Sequence, residues 1–263
     1  MIIDAHTHNS TEAGRIHNAQ DLIASMDEAG IDYSLLIADG FVSGGTTTEE
    51  AIKISAEYPR IKAIGSVTYA TLDAAQIRTL INYWRAGKIY GVKLYPGYEN
   101  FYPSDERLLP LYARCQEIGM PIIFHTGFLM VGFPGLLKQA HPLNVDDVAS
   151  AFPALKIVMA HCGSPWIIDA AAVALRNKNV YTDVSGYFKE FSPITRSAVD
   201  SFIQDLNEWR SIVGDFRRCL FATDWYLYSQ KEYLGAVRQL PLSEEEKDLV
   251  FWKNASEVFG LDL

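Results

Sequence analysis

Short runs of β-branched and aromatic residues alternate along this chain with segments whose apolar positions recur at helical spacing. The strand-like runs fall at 2–6, 32–38, 61–67, 90–95, 121–126, 155–161, 179–183 and 218–223. They are nearly continuous in Ile, Val, Leu, Phe and Tyr, as strands covered on both faces of a parallel sheet are. Between them, 18–29 carries Leu22, Ile23 and Met26 at helical spacing and stops at Gly30. Segment 48–58 opens on a threonine and two glutamates and runs into Pro59, 72–86 ends at Gly87, and 104–118 ends at Gly119. Further helical patterns cover 144–151, 165–177 and 192–213, and two more, 230–239 and 243–253, follow the eighth strand. Capping residues at the starts and glycines at the ends are the expected punctuation.

Eight strands, seven intervening helices and a helical tail predict a single (β/α)₈ TIM barrel with extra C-terminal helices. An open doubly wound sheet shares the alternation, but no Gly-x-Gly-x-x-Gly follows the first strand. No linker, repeat or low-complexity tract interrupts the 263 residues, so one domain spanning 1–263 is expected. A net charge of −9 with no basic stripe argues against nucleic acid as a partner. No stretch approaches the roughly 18 continuous apolar residues of a membrane span. The amino terminus shows no basic segment followed by an apolar one. Cys115, Cys162 and Cys219 are an odd set without ligand or redox spacing, which suits three free thiols and a cytoplasmic setting.

In such a barrel the reactive groups stand where strands end. The first strand ends in His6-Thr7-His8, and alternation puts both imidazoles on one face about 7 Å apart. The fourth contributes Lys93, the fifth His125, the sixth His161 and the eighth Asp224. The remaining histidines, His17 and His141, fall in loops. Alone, His125 or His161 reads as a hydrogen-bonded rim histidine, Asp224 as a helix cap and Lys93 as a solvated cation. Together they would leave several buried polar groups unpaired, at roughly 1–3 kcal/mol each, unless they share a ligand. Imidazole and carboxylate donors suit Zn²⁺, with Mn²⁺, Co²⁺ or Fe²⁺ as alternatives.

This arrangement resembles the amidohydrolase superfamily, in its compact branch of metal-dependent hydrolases and decarboxylases. The resemblance extends to the ending Asn254-Ala255-Ser256-Glu257-Val258-Phe259-Gly260-Leu261 and to Thr223-Asp224-Trp225, with Tyr226 where that branch usually has proline. It implies one divalent metal on His6, His8, His125 and Asp224, with Asp224 as general base and acid for an attacking water. It also implies that His161 polarises the scissile carbonyl or steadies the tetrahedral intermediate. Lys93 would bind a substrate carboxylate or oxyanion; carboxylated, it would bridge a second metal.

The loops beyond these strands are aromatic. Tyr95 and Tyr98 follow the fourth strand, Phe128 the fifth, Trp166 the sixth, Tyr187 the seventh and Trp225 the eighth, and all are expected to line the pocket. Segment 127–143 reads as a lid or an ordered loop, and Gly44-Gly45 as a turn. The expected activity is hydrolysis of an amide, lactone or ester bond of a small molecule. Non-oxidative decarboxylation of an aromatic or unsaturated acid is the alternative, and a non-catalytic binding protein the third reading. Short loops favour hydrolysis. A homodimer is expected through apolar residues of 230–253 such as Tyr233, Leu234, Val237 and Trp252.

Overall fold

A computed structural model describes residues 1–11, 16–42 and 44–263. Its eight strands are β1 (Ile3–Thr7), β2 (Tyr33–Ile37), β3 (Ile61–Ser66), β4 (Val92–Leu94), β5 (Ile122–Phe124), β6 (Ile157–Met159), β7 (Val180–Asp183) and β8 (Cys219–Leu220). They run in sequence order, each parallel to the next. The ring is drawn together between β8 and β1, where Ala5 N donates to Phe221 O (3.0 Å) and Asp224 N to His6 O (2.8 Å). This is the expected barrel.

Alternation along the strands builds two apolar layers. Ile3, Ala5, Leu35, Ile37, Ile64, Ile123, Val158 and Leu220 fill the barrel interior. Leu36, Ile61, Ala63, Val92, Leu94, Ile122, Phe124, Ile157 and Met159 pack outward, in a core shared with the helices. Lys93, between outward-facing Val92 and Leu94, therefore projects inward. Strict alternation after Ile3 and Ala5 would send His6 outward with Asp4. Instead the β1–β2 register shifts between Asp4 and Thr7. Such an irregularity re-aims side chains, and His6 and His8 both line the cavity at the top of the barrel. Asp4 stays outside, accepting from Thr223 N (3.0 Å), Thr223 Oγ1 (2.6 Å) and Gln230 Nε2 (2.7 Å).

The helices are α1 (Ala19–Ala29), α2 (Thr48–Glu57), α3 (Ala74–Arg85), α4 (Leu109–Ile118), α5 (Asn144–Ala151), α6 (Ile167–Arg176), α7 (Arg196–Val213), α8 (Gln230–Val237), α9 (Glu244–Asp248) and α10 (Asn254–Phe259). Asn18 and Thr47 close capping boxes on α1 and α2. Three expectations need correcting. Segment 104–118 is α-helical only from Leu109, after a 3₁₀ turn at Glu106–Leu108, with Pro110 in the first helical turn. Segment 192–213 starts at Arg196, because the Thr195 hydroxyl caps Ala198 N. The tail does not stop at 253: a π-helical turn (Leu249–Lys253) leads into α10, whose Ala255, Val258 and Phe259 pack against the barrel interior. Tyr233, Leu234 and Val237, offered above as interface residues, are buried in the chain's own core. Among the described residues no helix is long and apolar enough to cross a membrane.

Candidate active site

The barrel's top opens into a cavity of ≈ 460 Å³, within the usual range for small-molecule sites. His6, His8, Lys93, His125, His161 and Asp224 all line it. Three donor atoms converge there: His6 Nε2 and His8 Nε2 are 3.2 Å apart, and Asp224 Oδ1 lies 3.6 Å from the first and 3.5 Å from the second. Tetrahedral zinc with bonds of about 2.0–2.1 Å separates its donors by about 3.3–3.4 Å, so the spacing fits a divalent cation.

Proton placement supports the same conclusion. His6 Nδ1 faces Asp183 Oδ2 (2.9 Å), and His8 Nδ1 faces the Ile37 carbonyl (3.2 Å) and Asp39 Oδ2 (3.3 Å). A carbonyl only accepts, and a carboxylate filled by other donors does the same. Both rings therefore carry their proton on Nδ1, and both Nε2 lone pairs aim at one point. Two lone pairs at 3.2 Å repel, and a cation between them, like the Lys93 ammonium 3.2 Å from His6 Nε2, relieves that repulsion. Two groups of donors are close enough together for a metal ion, His6–His8–Asp224 and His6–His161–Asp183; in the second, Asp183 already accepts from His6 Nδ1 and His161 N.

His125 stands apart from both groups. Its Nε2 donates to the Phe128 carbonyl at 2.9 Å, leaving Nδ1 without a hydrogen-bond partner among the described residues. Its ring sits 5.0 Å from that of His161 and 4.7 Å from that of Tyr98. Lys93, fully buried, brings Nζ to 3.2 Å from His6 Nε2. Burial lowers its pKa to about 8, against the pull of Asp183, Asp224 and Asp39. Burial also pushes the Asp224 carboxyl up to about 6, opposed by His8 and Lys93, and the His125 imidazole down to about 3. At His8 burial is outweighed by the Asp39 hydrogen bond and charge, and the pKa rises.

Backbone strain gathers at this rim. His161, Cys162 and Asp224 adopt φ of 62°, 49° and 64°, left-handed conformations that cost a residue with a side chain roughly 1–3 kcal/mol. Strain of this size is held only where surrounding bonds fix it. At Asp224 the N–H is tied to His6 O, which presents the carboxylate beside the two imidazoles.

Of the aromatic residues expected at the pocket, Tyr95, Tyr98 and Phe128 line it. Trp166, Tyr187 and Trp225 do not. Trp166 packs on His141 (4.6 Å), Tyr187 is drawn to Asp205 by a 2.6 Å hydrogen bond, and Trp225 is buried against His17. Loops have no periodicity from which an inward face can be read. Sequence reasoning missed Asp39 and Asp183, although both stand at strand ends as Asp224 does. It also missed Ser185, which hydrogen-bonds His161 Nδ1 (2.9 Å), and cavity-lining Asn9.

Residues 3–261 match the amidohydrolase family. No curated protein matches the sequence. Among solved structures, a probable 2-pyrone-4,6-dicarboxylic acid hydrolase of Acinetobacter baumannii with citric acid bound is 19% identical, over 99% of each chain, with a TM-score of 0.72. An amidohydrolase of Burkholderia multivorans with bound zinc is 16% identical, over 99% of each chain, at 0.77. A dihydroxybenzoic acid decarboxylase of a Polaromonas species, with manganese and 2-nitroresorcinol bound, is 16% identical, over 100% of this chain and 97% of its own, at 0.72. At these identities the likeness is one of fold. With the family match spanning nearly its whole length, the chain belongs to the amidohydrolase family.

Proposed function

We propose that this enzyme is a metal-dependent hydrolase that cleaves an ester, lactone or amide bond of a small molecule. The observation that carries the reading is the convergence of two imidazole Nε2 atoms and one carboxylate oxygen on a single point, within 3.2–3.6 Å of one another. His6, His8 and Asp224 would hold the cation, with His125 Nδ1 available beside them. When bound, a divalent cation acidifies water and polarises a carbonyl.

The chain's own residues do the rest. Asp224 accepts the water's proton on its carboxylate and returns it to the leaving group. The Lys93 ammonium, desolvated among carboxylates, attracts an anionic oxygen of the substrate. Tyr95, Tyr98, Phe41 and Phe128 wall the cavity and limit water beyond the attacking one. Tyr95 is held in place by its hydroxyl, which donates to Ala38 O at 2.8 Å.

The aromatic wall favours a second reading, decarboxylation of an aromatic acid. Phe41 lies 4.4 Å from Tyr95, with Tyr98 against His125, a lining suited to a flat ring. Zinc- and manganese-loaded protein assayed on lactones, esters, amides and aromatic acids separates the two, with a chelated control. Acid release without carbon dioxide is the expected result. Carbon dioxide release alone would replace hydrolysis by the second reading.

A further inference from the structure

Four donors converge on Asp183 at the end of β7. Its Oδ2 accepts from His6 Nδ1 (2.9 Å), while Oδ1 accepts from His161 N (2.9 Å), Ser185 N (3.1 Å) and Ser185 Oγ (2.5 Å). The Ser185 hydroxyl, 0% exposed, has one hydrogen, and the short contact commits it to the carboxylate. Its oxygen also lies 2.9 Å from His161 Nδ1. An oxygen whose only hydrogen is spent can meet that nitrogen only as acceptor. His161 Nδ1 must then carry a proton.

The neighbouring backbone holds the ring in this pose. A Cβ on Gly186, whose φ is +64°, would lie 2.4 Å from His161 Nδ1. The Nδ1 edge of the imidazole thus lies against the β7 loop with no space between them. His161 itself lines the cavity, and the ring edge away from Ser185 bears Nε2.

We infer that Ser185 is the positioning residue that locks neutral His161 in the Nδ1–H form, so that Nε2 presents a lone pair to the cavity. The inference rests on the site described under the proposed function and assigns His161 a different part from the one its resemblance implies. With Nε2 unprotonated, His161 accepts a hydrogen bond or proton from water or from an N–H or O–H of the substrate; it does not polarise a carbonyl by donation. Asp183 orients His6 directly and His161 through Ser185, so one carboxylate sets the direction of both lone pairs.

Imidazole ¹H–¹⁵N long-range correlation spectra of the zinc-loaded full chain test this, with the His161 signals identified by their loss in His161→Gln. Wild-type protein is expected to show His161 protonated on Nδ1 and bare on Nε2. In Ser185→Ala the dominant Nδ1–H form should give way to an Nε2–H form or a mixture, and Ser185→Thr, which keeps the hydroxyl, should restore it. If Ser185→Ala does not fold, Ser185→Cys, with its weaker acceptor, should shift the population in the same direction. Nε2–H in the wild type, or variants with unchanged spectra, overturns the inference. A loaded enzyme that hydrolyses none of the compounds screened defeats the hydrolase reading, and the spectra still decide the protonation of His161.

Discussion

The metal-type donors here depend on residues that never touch the cavity's centre point. Asp39 Oδ2 accepts from His8 Nδ1 at 3.3 Å, and its Oδ1 is itself fixed by Thr46 N at 2.6 Å. Removing such an orienting acceptor typically weakens metal binding about 10–100-fold. Asp39→Ala should show that loss in a zinc competition titration against a chelator, with its fold retained by circular dichroism; unchanged affinity would remove Asp39 from the orienting set. Asn9 makes the opposite case. Its buried Oδ1, at the cavity wall, has no hydrogen-bond partner among the described residues. A buried unpaired acceptor costs about 1–3 kcal/mol, so Asn9→Ala is expected to melt at or above the wild-type temperature. A clear fall in melting temperature would mean that the carboxamide stabilises the fold.

Strand–helix alternation was legible because burial on both faces of a parallel strand leaves an uninterrupted apolar run, and all eight runs became strands. Which side chains at strand ends face the cavity was legible by position alone: His6, His8, Lys93, His125, His161 and Asp224 all reach it. The acceptors behind them were not, since an aspartate after a strand reads equally well as a turn or cap residue. The β1 register shift left no sequence signal, because pairing depends on what the neighbouring strand offers. At helix termini the consequences are measurable. Asn18 accepts from Gln20 N and Asp21 N, and Asn18→Ala should cost about 0.5–2 kcal/mol in denaturant unfolding. Glu246 in α9 caps Ser243 N (2.8 Å) and reaches Phe216 N (2.9 Å). Burial alone would raise its pKa, but these hydrogen bonds, with the Ser243 hydroxyl and Arg210, lower it. A carboxyl with a folded pKa below its unfolded value, about 4.3 for glutamate, adds stability that is present above that pH and fades as pH falls through the folded value. Glu246→Gln should therefore be less stable than wild type at neutral pH, and the gap should narrow in acid. A gap that stays constant with pH contradicts this linkage.

For the whole molecule, a cation that binds only the folded chain adds stability as RT ln(1 + [L]/Kd), about 2.7 kcal/mol at a hundredfold excess over Kd. Zinc should raise the melting temperature of wild-type protein and a chelator should reverse the rise. The double variant His6→Ala/His8→Ala should show no zinc-dependent shift; an equal shift there would place the cation elsewhere. Those histidines stand at the end of the first strand, while Asp224 belongs to the last strand's exit, and backbone hydrogen bonds across the β8–β1 seam bring them together. The seam joins the first strand of the barrel to its last. On a ribosome, a nascent chain would carry these two imidazoles until the eighth strand emerged with the matching carboxylate. Tight capture of the ion would then mark the moment the ring shuts, making metal uptake a report on barrel closure.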